Sequence, residues 1–136
     1  RLRALVRYLC DEAGGDPARL DGRDVPRLRA SLLAVPGVGR ETADSILLYA
    51  VGLPVFVVDA YTRRIFGRLG RIDPDADYDA IRAVFEAALP RDVGLYNDYH
   101  AQIVALGKDV CRPRPRCEAC VLSDLCAHFG AGEATA

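Results

Sequence analysis

Cysteine is nearly absent from this chain until its end, where it appears four times in quick succession. Cys111, Cys117, Cys120 and Cys126 form the pattern C-x5-C-x2-C-x5-C, whereas all the residues before them include only Cys10. The segment that carries them is short and rich in arginine and proline, so it has too little apolar surface to fold without a staple. Nothing points to secretion, which disfavours disulfides and leaves a four-thiolate metal site. Structural zinc commonly uses two close pairs of ligands, but here one such pair, Cys117 and Cys120, is flanked by two single cysteines. That spread suits an iron–sulfur cubane better, with zinc still open on spacing alone.

A second constraint lies in the stretch Val35–Asp59. Pro36-Gly37-Val38-Gly39 cannot continue a helix, because Pro36 lacks an amide donor and glycine favours positive φ. The spacing predicts a helix over 25–34 before it, with Asp24 as N-cap, Pro26 in the first turn, and Leu28, Leu32 and Leu33 facing inward. It predicts another over 40–51, with Ala43, Ile46, Leu47 and Ala50 as the apolar face. A glycine turn between two such helices leaves backbone N–H groups at the second helix's start, where their partial positive charge suits a phosphate oxygen. Gly37, Val38, Gly39 and Arg40 are therefore candidate phosphate contacts. The consecutive apolar residues Val55–Val58 read as a buried loop rather than a strand, since no partner run exists. Asp59 ends that run and begins the next helical pattern, over 61–69, where an acid can also serve as N-cap.

Elsewhere the pattern is helical throughout. Residues 1–13 place Leu2, Leu5, Val6, Leu9 and Cys10 on one stripe, so Cys10 is expected to be a buried structural thiol. Residues 16–23 read as a polar loop with a short helical turn. Asp77 caps a helix over 78–89 with Ile81, Val84, Phe85 and Ala88 inward, and Pro90 stops it. The last long helix, over 92–110, has Tyr99, Ile103 and Leu106 inward and candidate interruptions at Gly94 and Gly107. His100 reads as a structural histidine. The 136 residues are 51% apolar, enough for a packed core in one domain or two small lobes. No apolar run is long enough to span a bilayer and no signal leader opens the chain, so the expected compartment is the cytoplasm, at the nucleoid. A net charge of −1 gives no global sign of nucleic acid. Local clusters must carry that reading: Arg112, Arg114 and Arg116 between prolines, and Arg63, Arg64, Arg68 and Arg71 after Asp59, with a solvated face as the plain alternative.

In order and spacing, these features resemble the endonuclease III (HhH-GPD) superfamily of DNA glycosylases. Gly37-Val38-Gly39 resembles the family's hairpin, Gly52-Leu53-Pro54 its loop, and Asp59 its catalytic carboxylate. The resemblance covers nearly the whole chain. It implies an all-α fold of two lobes, with residues 1–57 in the hairpin lobe, 58–136 in the cluster lobe, and Asp59 at the cleft between them. It also implies a [4Fe–4S] cluster on Cys111, Cys117, Cys120 and Cys126, although relatives have six residues in the first gap and this chain has five. Relatives carry several helices ahead of the hairpin, so those N-terminal helices are expected to be missing here, and part of the wedge that fills the flipped base's space with them.

The implied chemistry is base excision: a damaged base flipped out of double-stranded DNA is cut from its sugar through an oxocarbenium-like transition state, which Asp59 stabilises while orienting the attacking nucleophile. Lyase relatives use a lysine on the second hairpin helix, and Glu41 stands at the matching position. The single lysine, Lys108, lies far away near the cysteines. A monofunctional, water-using monomer is therefore expected. The string GRETADSIL is similar to the 3-methyladenine branch, which makes alkylated purines the expected substrate, oxidised pyrimidines the alternative, and a catalytically degenerate DNA-binding protein the rival class. Glu41 is a candidate pocket residue or simply an exposed first-turn acid.

Overall fold

The computed structural model describes residues 2–133, with side-chain surroundings to residue 130. Among them the regular structure is entirely helical: α1 (Leu2–Ala13), α2 (Val25–Leu33), α3 (Arg40–Ser45), α4 (Ala60–Arg68), α5 (Tyr78–Ala88), α6 (Val93–Asp109) and α7 (Ala127–Glu133), with short 3-10 turns at Pro17–Leu20, Cys117–Ala119 and Ser123–Leu125. Among the described residues no helix is long and apolar enough to cross a membrane. The chain divides into two compact units. One takes the residues up to Val57 together with Glu86–Asn97; the other takes Val58–Phe85 together with the residues from Asp98 onward.

The first unit is built on the hairpin. Asp24 caps α2 by accepting from the Arg27 amide at 3.1 Å, and Pro26 sits where its missing donor costs nothing. Leu28 and Leu32 are buried with Ala13, Ala43, Leu47, Val51 and Val55 in one cluster. Leu20 joins them at 0% exposure, although it comes from the segment that reads as a polar loop. Its 3-10 turn is capped by Asp16, whose carboxylate accepts from the Ala18 amide at 3.0 Å, and this aims the segment's one large apolar residue inward.

Two expectations about apolar faces fail here. After Ser45 the helix widens into π geometry over Ile46–Val51. The i→i+5 spacing rotates the stripe, so that Leu48 and Val51 are buried and Ala50 is exposed. Gly52, at φ 82°, ends it, with the Leu53 amide donating back to the Leu47 carbonyl at 2.8 Å. On α1, Cys10 is exposed rather than buried, as are Leu2 and Val6. The apolar stripe is wider than the contact, and only its Leu5, Tyr8 and Leu9 edge packs on the core. Beyond the hairpin, Phe56 lies edge-on to the fully buried Tyr96 at 5.5 Å, and its amide donates to Glu86 Oε1 at 3.0 Å. That bond satisfies a buried loop amide that has no strand to pair with.

The second unit centres on an aromatic group: Phe66 from α4, Phe85 from α5 and Tyr99 from α6, with Phe66 and Phe85 edge-on at 4.7 Å. Val58, Ile65, Ile81 and Ile103 are buried in the same unit. Val84 and Ala88 are exposed, contrary to expectation, because α5 buries only the Ile81–Phe85 row. α6 runs unbroken through both glycines. Gly107 does not interrupt it but lets α4 come close: a Cβ there would collide with the Tyr61 ring and meet Tyr61 Cβ at 3.0 Å.

Candidate functional site

The hairpin turn follows its sequence closely. Gly37 takes φ 88°, the Val38 amide donates to the Val35 carbonyl at 3.0 Å, and Val38 leans on the core while Gly37, Gly39 and Arg40 are exposed. No side chain caps the start of α3. The turn is braced from behind by a feature the helical periodicity did not show. Asp44, at 0% exposure, accepts from Arg29 Nε at 2.6 Å and from Nη2 at 3.1 Å, a two-pronged bond that joins α2 to α3. Glu41 is exposed in the first turn of α3.

Asp59 is the N-cap of α4. Its Oδ1 accepts from the Thr62 amide at 2.7 Å and from the Thr62 hydroxyl at 2.9 Å, while that hydroxyl accepts from the Asp59 amide at 3.4 Å, closing a capping box. Its other oxygen, Oδ2, lies 3.4 Å from His100 Nε2, and both side chains are only 12% exposed. Burial by itself pushes the Asp59 carboxyl up. The nearby His100 imidazole and the hydrogen bonds from Thr62 outweigh it and hold the group below the ordinary aspartate value. The result is a largely buried carboxylate that stays ionised, the requirement for stabilising positive charge on a sugar. His100, expected to be only structural, is thus in contact with the candidate catalytic acid. The available signal was its register on α6, where it shares a face with the buried residues Ile103 and Gly107.

Cys111, Cys117, Cys120 and Cys126 line one enclosed hollow with Arg68 and Phe129. Burial pushes the Cys117 thiol up, and so do Cys126, Cys111 and Cys120, so the four sulfurs are close enough to feel one another's charge. Among the described residues no three Cys, His, Asp or Glu side chains converge as they would around one metal ion. Four thiols spread around a common hollow, with a cationic guanidinium beside them, fit a polynuclear cluster carrying net negative charge.

Of the four arginines after Asp59, Arg71 is exposed, while Arg63, Arg64 and Arg68 are turned to backbone carbonyls rather than forming an open basic patch. Arg63 Nη1 donates to the carbonyls of Pro74 and Ala76 at 2.7 and 2.8 Å. Arg64 donates to Cys111 O at 2.8 Å and Gly107 O at 2.9 Å, with its guanidinium 5.1 Å from the Tyr61 ring centre. Arg68 reaches Arg112 O at 2.6 Å, Pro113 O at 2.9 Å and Cys111 Sγ at 3.4 Å, while Cys126 Sγ donates back to Arg68 O at 3.5 Å. Arg64 and Arg68 bind carbonyls of the cysteine loop and Arg63 those of the loop after α4, groups that an irregular backbone otherwise leaves unpaired. Freed of that work, Arg112, Arg114 and Arg116 are exposed on the loop's surface.

Comparison with known proteins agrees with this geometry. Residues 19–49 match the helix-hairpin-helix motif model. A protein of Methanocaldococcus jannaschii assigned to the DNA repair glycosylases is 45% identical over 128 residues, covering 93% of this chain and 58% of its own. Endonuclease III of Thermotoga maritima is 31% identical, covering 98% of this chain and 59% of its own. Among solved structures, a non-covalent endonuclease III–DNA complex superposes with a TM-score of 0.74 at 27% identity, over 94% of this chain and 56% of that one. The chain thus spans little more than half the length of the relatives it matches. In hairpin, helical fold and these relatives, the chain is similar to the endonuclease III-like, helix-hairpin-helix (HhH-GPD) superfamily of DNA glycosylases.

Proposed function

We propose that the chain forms the hairpin, catalytic and cluster-binding portion of a monofunctional DNA N-glycosylase, which flips a damaged base from double-stranded DNA and hydrolyses its glycosidic bond. The observation that carries this reading is Asp59, a carboxylate that is 12% exposed and held ionised at a helix start. With the nucleotide extruded, the carboxylate lies against the sugar and offsets the charge that develops as the bond to the base breaks. The same group orients water and takes its proton as the new C–O bond forms.

The exposed turn Gly37–Arg40 grips backbone phosphate through its amides and Arg40, and Arg112, Arg114 and Arg116 add charge from the cysteine loop. Cys111, Cys117, Cys120 and Cys126 are the residues that would hold a [4Fe–4S] cluster, whose contribution when bound is to fix that loop's shape. Lyase chemistry needs an amine nucleophile, and Glu41 stands where lyase relatives place one.

Alkylated purines are the preferred substrate on the GRETADSIL string. Oxidised pyrimidines are the second reading, supported by the similarity to endonuclease III. To test both, parent protein and Asp59→Asn are incubated with duplexes carrying methylated purines or oxidised pyrimidines, and abasic sites are counted. Release by the parent and not by the variant is expected. No release from any duplex would favour a DNA-binding protein without turnover, and covalent trapping on borohydride reduction through a side chain of this segment would end the monofunctional reading.

A further inference from the structure

We propose that His100 is a positioning residue for Asp59, its Nε2 set against Oδ2 at ion-pair range so that the carboxylate presents one fixed edge to the sugar. The proposal deepens the glycosylase reading above and rests on it for its catalytic half.

The capping box engages Oδ1 alone: the Thr62 amide and hydroxyl both converge on that oxygen, at 2.7 and 2.9 Å. A carboxylate held by one oxygen still swings about that contact, and a swing of about 1 Å at a reacting centre costs on the order of 10²-fold in rate. His100 Nε2 lies 3.4 Å from Oδ2, longer than a formed hydrogen bond but within ion-pair range, and is the second point that restrains it. A carboxylate only accepts, so Nε2 restrains Oδ2 in the forms of the imidazole that carry a hydrogen there. The histidine is itself fixed by its helix: it stands within the 17-residue α6, on the face that also carries the buried Ile103. Further along that face, Gly107 packs against Tyr61, and its carbonyl accepts from Arg64 at 2.9 Å. α4, which begins at Asp59, is therefore locked to α6 at one place and meets it again through His100, and side chains on two mutually locked helices hold a geometry that loops do not.

The test uses the whole protein with its prosthetic group, as parent, His100→Ala and His100→Gln. Gln retains an N–H donor of similar reach. First, the Asp59 carboxyl carbon is followed by NMR through an acid titration. Its midpoint should rise in His100→Ala and rise less in His100→Gln; an unchanged midpoint in His100→Ala overturns the proposal, whatever becomes of the glycosylase reading. Second, base release is measured under single and multiple turnover on the duplex the parent accepts, methylated or oxidised. His100→Ala should lose about 10- to 100-fold in kcat with KM and abasic-duplex affinity within a few fold, and His100→Gln should recover most of the loss. Full kcat in His100→Ala, or equal loss in both variants, overturns the positioning role. If the parent releases no base, the glycosylase reading fails, and the carboxyl titration alone decides for or against His100.

Discussion

Removing Arg29 should cost the hairpin more than any exposed charge in the chain. Arg29 and Asp44 meet through two hydrogen bonds of 2.6 and 3.1 Å, with Asp44 fully buried and the Arg29 side chain 14% exposed. Arg29→Ala removes the two-pronged partner of a fully buried carboxylate, and breaking a buried pair from one side typically costs about 3–5 kcal/mol. The slight exposure of Arg29 lets some water reach the site, which places the expected loss at the lower end, about 3 kcal/mol. For a chain of this size each kcal/mol moves the melting temperature by roughly 3–5 °C, so Tm should fall by on the order of 10 °C. Replacing both partners with apolar groups of similar volume, Arg29→Met with Asp44→Leu, removes the buried charge and should recover most of that loss. Thermal unfolding followed by circular dichroism gives the magnitudes, and amide hydrogen exchange over α2 and α3 shows whether the loss is local to the hairpin. If Arg29→Ala melts within a degree or two of the parent, or if the double variant is no better than the single, the pair does not brace the turn as argued.

Asp59 has its carboxyl held below the ordinary value when folded. It therefore contributes stability above the unfolded-state value of about 3.9 and loses it as pH falls through the folded one; Asp59→Asn should flatten that part of the acid-unfolding curve, which a pH series of denaturant melts would show. Gly107→Ala should destabilise by about 1–3 kcal/mol despite alanine's better helix propensity, because the new methyl group strikes the Tyr61 ring; a raised Tm would refute the close crossing. Arg68→Gln removes donors to Arg112 O, Pro113 O and Cys111 Sγ, and the purified variant should retain less iron and a weaker charge-transfer absorbance than the parent. Changing Arg112, Arg114 and Arg116 together to Gln should reduce the salt slope of duplex binding by roughly 2–3, at about 0.9 for each phosphate no longer neutralised.

Elements set by local rules were legible in the residues. Asp24, Pro26 and the Gly37 turn bound their helices as their chemistry requires, since capping and positive φ act within a few residues. Spacing also marked the four cysteines as one group and Asp59 as an acid at a helix start. Periodicity was a poorer guide to burial. It gives the stripe's direction but not how much of it a neighbour covers, so Cys10, Val84 and Ala88 are exposed while Leu20, in a polar segment, is fully buried. The π turn after Ser45 is invisible to a count that assumes 3.6 residues per turn.

What the amino-acid sequence determined by itself, then, is the helical class, the hairpin and the identity of the charged and thiol groups, because these follow from backbone preference and from which atoms a side chain carries. What only the tertiary structure decided is which of those groups meet. Arg29 finds Asp44, His100 finds Asp59, and Arg64 and Arg68 turn from the solvent to the cysteine loop. A charge cannot choose its partner until packing has brought the helices together and removed the water between them.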